Sequence, residues 1–203
     1  MERIAYLYLI DLLSDWEIGH ITSELSIGRI FRKDAGTVVV KTFARDRNPV
    51  RTVGGLTVIP DLTVDEVRTQ PGSLLLLPGA DGWTEPAHQP VLDLARTYLS
   101  NNKVVAAICG ATVGLASAGL LNERRHTSND LETLQSLPGY KGAERYEDLP
   151  AVRDGNLVTA SGIAPLEFAR EIMAAMDVAE PEVLDHWHGL VKTLDPVHLK
   201  ALM

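Results

Sequence analysis

Short apolar runs alternate along the chain with longer stretches of helical periodicity, the pattern of a mainly parallel sheet covered by helices on both faces. The strand-like runs are Arg3 to Ile10, Thr37 to Phe43, Ser73 to Leu77, Lys103 to Ile108 and Leu157 to Ala160. Leu74-Leu75-Leu76-Leu77 and Val104-Val105-Ala106-Ala107-Ile108 show no polar alternation, as expected of strands buried on both faces. Between the runs, the spacing predicts helices over about Asp15 to Ile30, Pro86 to Ser100, Gly110 to Leu121, Asn129 to Ser136 and Pro165 to Met176. Pro86 and Pro165 suit first helical turns, and Asn101-Asn102 suits a helix stop. Gly54-Gly55, set between apolar residues, predicts a hairpin or tight turn on the edge of the sheet. The tail from Glu180 to Met203 reads as helical, punctuated by Pro181 and Pro196.

Composition narrows the picture. A chain of 203 residues, 45% hydrophobic, can bury one sizeable core, so a single domain over 1–203 with a helical tail from about 180 is expected. The run Ile4 to Ile10 is too short to span a bilayer and is interrupted at Asp11 and Asp15. A formal net charge of -8 repels phosphate backbones and anionic lipid, which argues against nucleic acid and membrane as partners. The lone cysteine excludes an internal disulfide and any multi-cysteine metal site, and it fits a reducing compartment, the cytoplasm. No glycine-rich pattern opens a helix as a dinucleotide fold needs, and neither a metal nor an organic cofactor is implied.

The chemistry concentrates where the run ending at Ile108 passes through Cys109-Gly110 into the next helix. A cysteine there lies at the carboxyl end of a central strand, where active sites of open α/β sheets gather. The helix amino end favours a thiolate, lowering the thiol pKa from roughly 8.5. Gly110 permits close approach of a substrate. A free cysteine is also among the most often buried residue types, so packing stands as the other reading of Cys109.

Leu76-Leu77-Pro78-Gly79-Ala80, Ala107-Ile108-Cys109-Gly110-Ala111, Gly54-Gly55-Leu56 followed by Pro60-Asp61, and Asp15-Trp16-Glu17 occur in this order along the chain. Together they resemble the ThiJ/PfpI superfamily. That resemblance implies a doubly wound, flavodoxin-like sheet of the class I glutamine amidotransferase-like type, with Cys109 as the elbow nucleophile. It implies that Glu17 hydrogen-bonds the sulfur; Glu17 must then be neutral while Cys109 is charged, since an ionised carboxylate would repel the thiolate. Without the resemblance, Glu17 is an ordinary first-turn glutamate.

The backbone N–H groups of Gly110 and Ala80 match the family's oxyanion hole, although Ala80 stands where the family usually has a second glycine. Gly79, Asp81 and Trp83 are candidates to bind substrate; Trp83 has packing as its alternative. His126 matches a region that brings a histidine to the cysteine in some members, its alternative being an exposed loop position. A conventional Cys-His-acid triad is disfavoured, because Gly110 follows the cysteine and the chain has no His-x-Glu. His186 and His188 alternate in the tail helix and cannot share one metal. Ser161, which precedes Pro165, is read as a helix cap or a pocket hydroxyl.

The function this implies is addition of Cys109 to a small electrophilic carbon, as in an α-oxoaldehyde, an amide or a C=N compound, with Glu17 moving the proton. The alternative is a stress sensor or chaperone-like protein that works through cysteine oxidation. Glutamine amidotransferase and protease activities fit the residues less well. A small-molecule substrate and a homodimer are expected as partners.

Overall fold

In the computed structural model, which describes residues 2–202, seven strands form one sheet in the order β5-β2-β1-β6-β7-β9-β8. These strands are β1 (Arg3–Tyr8), β2 (Val38–Ala44), β5 (Leu62–Thr63), β6 (Leu74–Leu77), β7 (Val104–Ile108), β8 (Ala151–Asp154) and β9 (Leu157–Ala160). All neighbours pair in parallel except β8 with β9. Leu74 to Leu77 are fully buried, as are Val105 to Ile108, which confirms their central, two-sided positions. The sheet is doubly wound: the chain passes from β1 to β2 on one side, then returns to β6 and β7 on the other.

The helices are α1 (Asp15–Ile27), α2 (Gln89–Ser100), α3 (Gly110–Ser117), α4 (Leu131–Gln135), α5 (Pro165–Ala175), α6 (Pro181–Thr193) and α7 (Pro196–Leu202). Helix α1 stops short of Ile30 because Gly28 adopts φ 65° and caps it. Pro86 opens a 3-10 turn, Pro86–His88, and α2 starts only after it. Helix α4 starts at Leu131 because the Asp130 side chain accepts the Thr133 N–H at 2.7 Å, leaving Asn129 outside the helix.

The Gly54-Gly55 turn joins β3 (Val50–Arg51) to β4 (Thr57–Val58) in a separate antiparallel pair, not on the sheet edge. Gly55 takes φ 86° at the turn. The hairpin is drawn over the start of α1 instead: Gly54 N–H donates to Asp15 at 2.5 Å and Val53 N–H to the Leu13 carbonyl at 3.0 Å. Both tail helices form, and Leu184 and Trp187 bury the inner face of α6. His188 contacts Glu167 and His186 contacts His198. Among the described residues no helix is long and apolar enough to cross a membrane.

Candidate active site

Cys109 sits between β7 and α3 at φ 57°, ψ -127°, a conformation that costs a residue with a Cβ about 1–3 kcal/mol. Neighbouring groups hold it there. Its N–H donates to the Ala160 carbonyl at 2.9 Å, and its carbonyl accepts from the Thr112 N–H at 3.0 Å and the Thr112 hydroxyl at 2.6 Å. Thr112 is fixed in turn by Ser128 at 2.7 Å. The thiol is half-buried.

Glu17 reaches the sulfur from α1 and is fully buried. One carboxyl oxygen, Oε2, accepts the Gly79 N–H at 2.6 Å; the other, Oε1, has no nitrogen or oxygen partner and faces Cys109. Two glycines enclose the pair. A Cβ at Gly79 would lie 2.5 Å from Glu17 Oε2 and 2.6 Å from Cys109 Cβ; one at Gly162 would lie 2.9 Å from Cys109 Sγ and 3.0 Å from Glu17 Oε1. The absence of side chains at these two positions is what lets carboxyl and sulfur meet.

Asn129, in the loop before α4, completes the arrangement. Its Nδ2 donates to Cys109 Sγ at 3.2 Å, while its Oδ1 accepts the Gly162 N–H at 2.9 Å. No motif in the sequence marks it, because its role depends on Asp130 taking the cap and turning Asn129 out of the helix.

Burial pushes the Cys109 thiol up; the Asn129 amide opposes this, a charged Glu17 adds to it, and the Gly110 N–H opposes it. The helix end acts in the expected direction, through the Gly110 N–H, and burial outweighs it. Burial also pushes the Glu17 carboxyl up, against the Gly79 N–H, the Cys109 thiol and the Ser14 hydroxyl. Two acids that share one dry site cannot both ionise readily, and whichever charges first holds the other's proton.

The other expected residues fall in several places. His126 is fully buried, with Nδ1 2.7 Å from the Arg124 carbonyl and Nε2 2.8 Å from the Tyr140 hydroxyl, so both nitrogens are engaged away from the sulfur. Burial pushes its imidazole down, towards the neutral form. It is neither an exposed loop histidine nor a partner of Cys109. Trp83 is buried, donates to the Pro78 carbonyl at 3.0 Å and packs on Tyr8 and against Gly114, which is the packing alternative.

The backbone of Gly79 is spent on Glu17 and on the Ser14 N–H rather than offered to a ligand. Gly110 is required by the carbonyl of Ala80, which presses on the space a Cβ would fill. Ala80 does not take a positive φ; Gly82, two residues on, does, at 82°. The Ala80 N–H makes no hydrogen bond among the described residues. Asp81 is exposed and lies on the wall of a separate cavity. Ser161 does not cap α5, whose N-cap is Ala164; its hydroxyl is 3.5 Å from Asn129 Oδ1.

A doubly wound sheet with a strained cysteine elbow and a buried carboxyl at the sulfur defines a class of protein, and comparison with known proteins makes it specific. Residues 3–175 match the DJ-1/PfpI family, and the chain belongs to that family. It is 46% identical over 202 residues to the protein of Bacillus subtilis (strain 168) named "Uncharacterized protease YoaZ", covering 99% of this chain and 96% of the relative. The crystal structure of the thiJ/pfpI family protein from Bacillus anthracis superposes with a TM-score of 0.95 at 45% identity, covering 100% of this chain and 96% of that one. A more distant relative, the glutathione-independent glyoxalase DJR-1.2 of Caenorhabditis elegans, is 25% identical over 134 residues, covering 65% of this chain and 70% of its own.

Proposed function

We propose that this protein is a cysteine-dependent enzyme acting on small electrophilic carbonyl compounds, with α-oxoaldehydes as the leading substrate class. One observation carries the reading: the fully buried Glu17 leaves Oε1 without any nitrogen or oxygen partner, facing the sulfur of Cys109. A carboxyl so placed is stable when protonated, and its O–H then donates to the sulfur and favours the thiolate.

In the reaction, Sγ attacks the aldehyde carbon and a C–S bond forms. The carbonyl oxygen takes up the bond's electron pair, is met by the N–H groups of Gly110 and Ala80, and receives the Glu17 proton. The Glu17 carboxylate then removes the hydrogen from that carbon, and the same proton is returned to the adjacent carbonyl carbon as its oxygen gains a proton from solvent. The oxygen on the sulfur-bearing carbon loses its own, giving a thioester. Water hydrolyses the thioester, releasing a 2-hydroxy acid and the free thiol; the sum is one α-oxoaldehyde plus one water. Asn129 positions the sulfur and carries no proton, so Glu17 is the acid and base. Amide cleavage, suggested by the relative named as a protease, lacks support at the sulfur: Asn129 occupies the place where a histidine would act.

The lone thiol supports a cytoplasmic location. A homodimer fits the exposed apolar side chains of Leu12, Trp16, Val53 and Ile163; of these, the Trp16 indole donates to the Gly162 carbonyl at 3.1 Å, beside the site. The test is turnover of methylglyoxal by wild type, Cys109→Ala and Glu17→Gln. Production of lactate that disappears in Cys109→Ala and falls sharply in Glu17→Gln supports the enzyme. Stoichiometric oxidation of Cys109 without turnover supports the oxidation sensor instead.

A further inference from the structure

A cavity opens at the carboxyl ends of β1, β2 and β6, lined by the β1–α1 loop and not by Cys109. Its volume is about 370 Å³, within the range of small-molecule sites. The location has a topological reason. The chain leaves β1 for β2 in one direction and for β6 in the other, and an open α/β sheet forms its ligand crevice at such a reversal.

The floor of this cavity is a buried polar pair, Tyr8 hydroxyl and His88 Nδ1, 2.9 Å apart. Tyr8 is fully buried and His88 Nδ1 is the one hydrogen-bond partner of its hydroxyl among the described residues. When the Tyr8 O–H donates, the proton of the neutral imidazole sits on Nε2. His88 is only 6% exposed and forms part of the cavity wall; its Nε2 makes no hydrogen bond among the described residues and is not sealed from solvent. His88 thus adds to the cavity wall an imidazole whose second ring nitrogen has no partner among the described residues and is an N–H donor in that tautomer.

The walls carry charge in an uneven arrangement. Arg45 is exposed and makes no ion pair or side-chain hydrogen bond among the described residues, although it lies close enough to Tyr8 and His88 to act on both electrostatically. Asp11, Asp46, Asp81 and Glu85 line the same space, and none of them is ion-paired among the described residues; Asp11 accepts the Arg51 N–H at 3.3 Å. No three metal-ligating side chains converge there closely enough to hold a metal ion. An unpaired guanidinium next to a buried N–H donor suits a carboxylate. Four carboxylates that do not converge suit an extended organic cation rather than a point ion.

We infer that this cavity binds a zwitterion of amino-acid size, its carboxylate received by Arg45 and His88 Nε2 and its cationic end by Asp46, Asp81 and Glu85. A basic amino acid meets every one of these groups. The site is separate from the cysteine chemistry and does not depend on it.

Calorimetric titration of the full chain with L-arginine and with agmatine, which keeps the guanidinium but lacks the carboxylate, tests the assignment. Saturable binding of L-arginine is expected, with agmatine at least about tenfold weaker, or ~1.4 kcal/mol. Arg45→Ala should remove that difference, and the double change Asp81→Asn, Glu85→Gln should weaken both ligands by about tenfold or more. These positions are exposed, so the variants test binding rather than folding. Binding that persists unchanged in Cys109→Ala separates this site from the reactive thiol. No saturable binding up to ~10 mM, equal affinity for the two ligands, or loss of arginine binding in Cys109→Ala would each overturn the inference.

Discussion

Two glutamates on one face of α1 are both buried and meet opposite fates. Glu24 is 3% exposed and is held by Arg29 through both carboxylate oxygens, with Arg29 Nε at 3.0 Å from Oε2. Glu17, two turns earlier, is sealed completely and receives one N–H and no cation. Same residue type, same helix and same burial give a charged structural anchor in one case and a proton-holding acid at a sulfur in the other. The difference lies in what the fold places opposite each carboxyl, not in the glutamates.

The sharpest way to break this comparison is to neutralise each in turn. Glu17→Gln should lower α-oxoaldehyde turnover by about 100- to 10,000-fold, the span of lost general acid–base catalysis. Glu24→Gln should leave turnover within about threefold and cost about 1–2 kcal/mol of stability in denaturant titration, because only hydrogen bonds to a partly solvated arginine are lost. Equal losses of activity would remove the distinction.

Gly79→Ala comes next. The added methyl collides with both Glu17 and Cys109, and about 1–3 kcal/mol of stability should be lost, with a change in the rate at which iodoacetamide alkylates the thiol. An unchanged rate would show that the pair tolerates separation.

The pH dependence follows in size. Burial raises the folded pKa of Glu17 above its unfolded value, so the protonated carboxyl favours folding in acid and that contribution is lost as pH rises through the folded pKa. Glu17→Gln, which cannot ionise, should therefore melt increasingly higher than wild type as pH rises, and the gap should be smallest in acid. Parallel melting curves would mean that Glu17 is not buried as described.

The smallest effects on the sulfur's chemistry belong to the histidine, and the smallest on stability to the elbow. Cys109→Gly relieves the positive φ that Cys109→Ala retains and should be more stable than it by about 1 kcal/mol. His126→Ala should destabilise the protein by roughly 1–3 kcal/mol, through the unpaired Tyr140 hydroxyl and Arg124 carbonyl, with little change in Cys109 alkylation.

The central strands were legible because burial on both faces leaves an unbroken apolar run, as in Leu74 to Leu77. The short strands β5 and β8 were not, since edge pairing demands little of Leu62-Thr63 or of Ala151 to Asp154, half of which stays polar. At the site, Cys109 and Glu17 follow from recognisable local motifs. Asn129 and Gly162 do not, because their parts are set by contacts across the sheet. His126 was misplaced by three positions for the same reason: several polar residues in that loop read alike, and only packing shows that Asn129 faces the sulfur while His126 turns inward to Tyr140.

The glycine enclosure also makes Cys109 a clock for folding. Glu17, Gly79, Cys109, Asn129 and Gly162 come from segments scattered from the first helix to the loop after β9, and the environment of the thiol exists only when all have docked. Such long-range closures are expected late in assembly. A nascent or partly unfolded chain would expose an ordinary thiol, and the moment at which its reactivity departs from that of free cysteine marks completion of the native sheet.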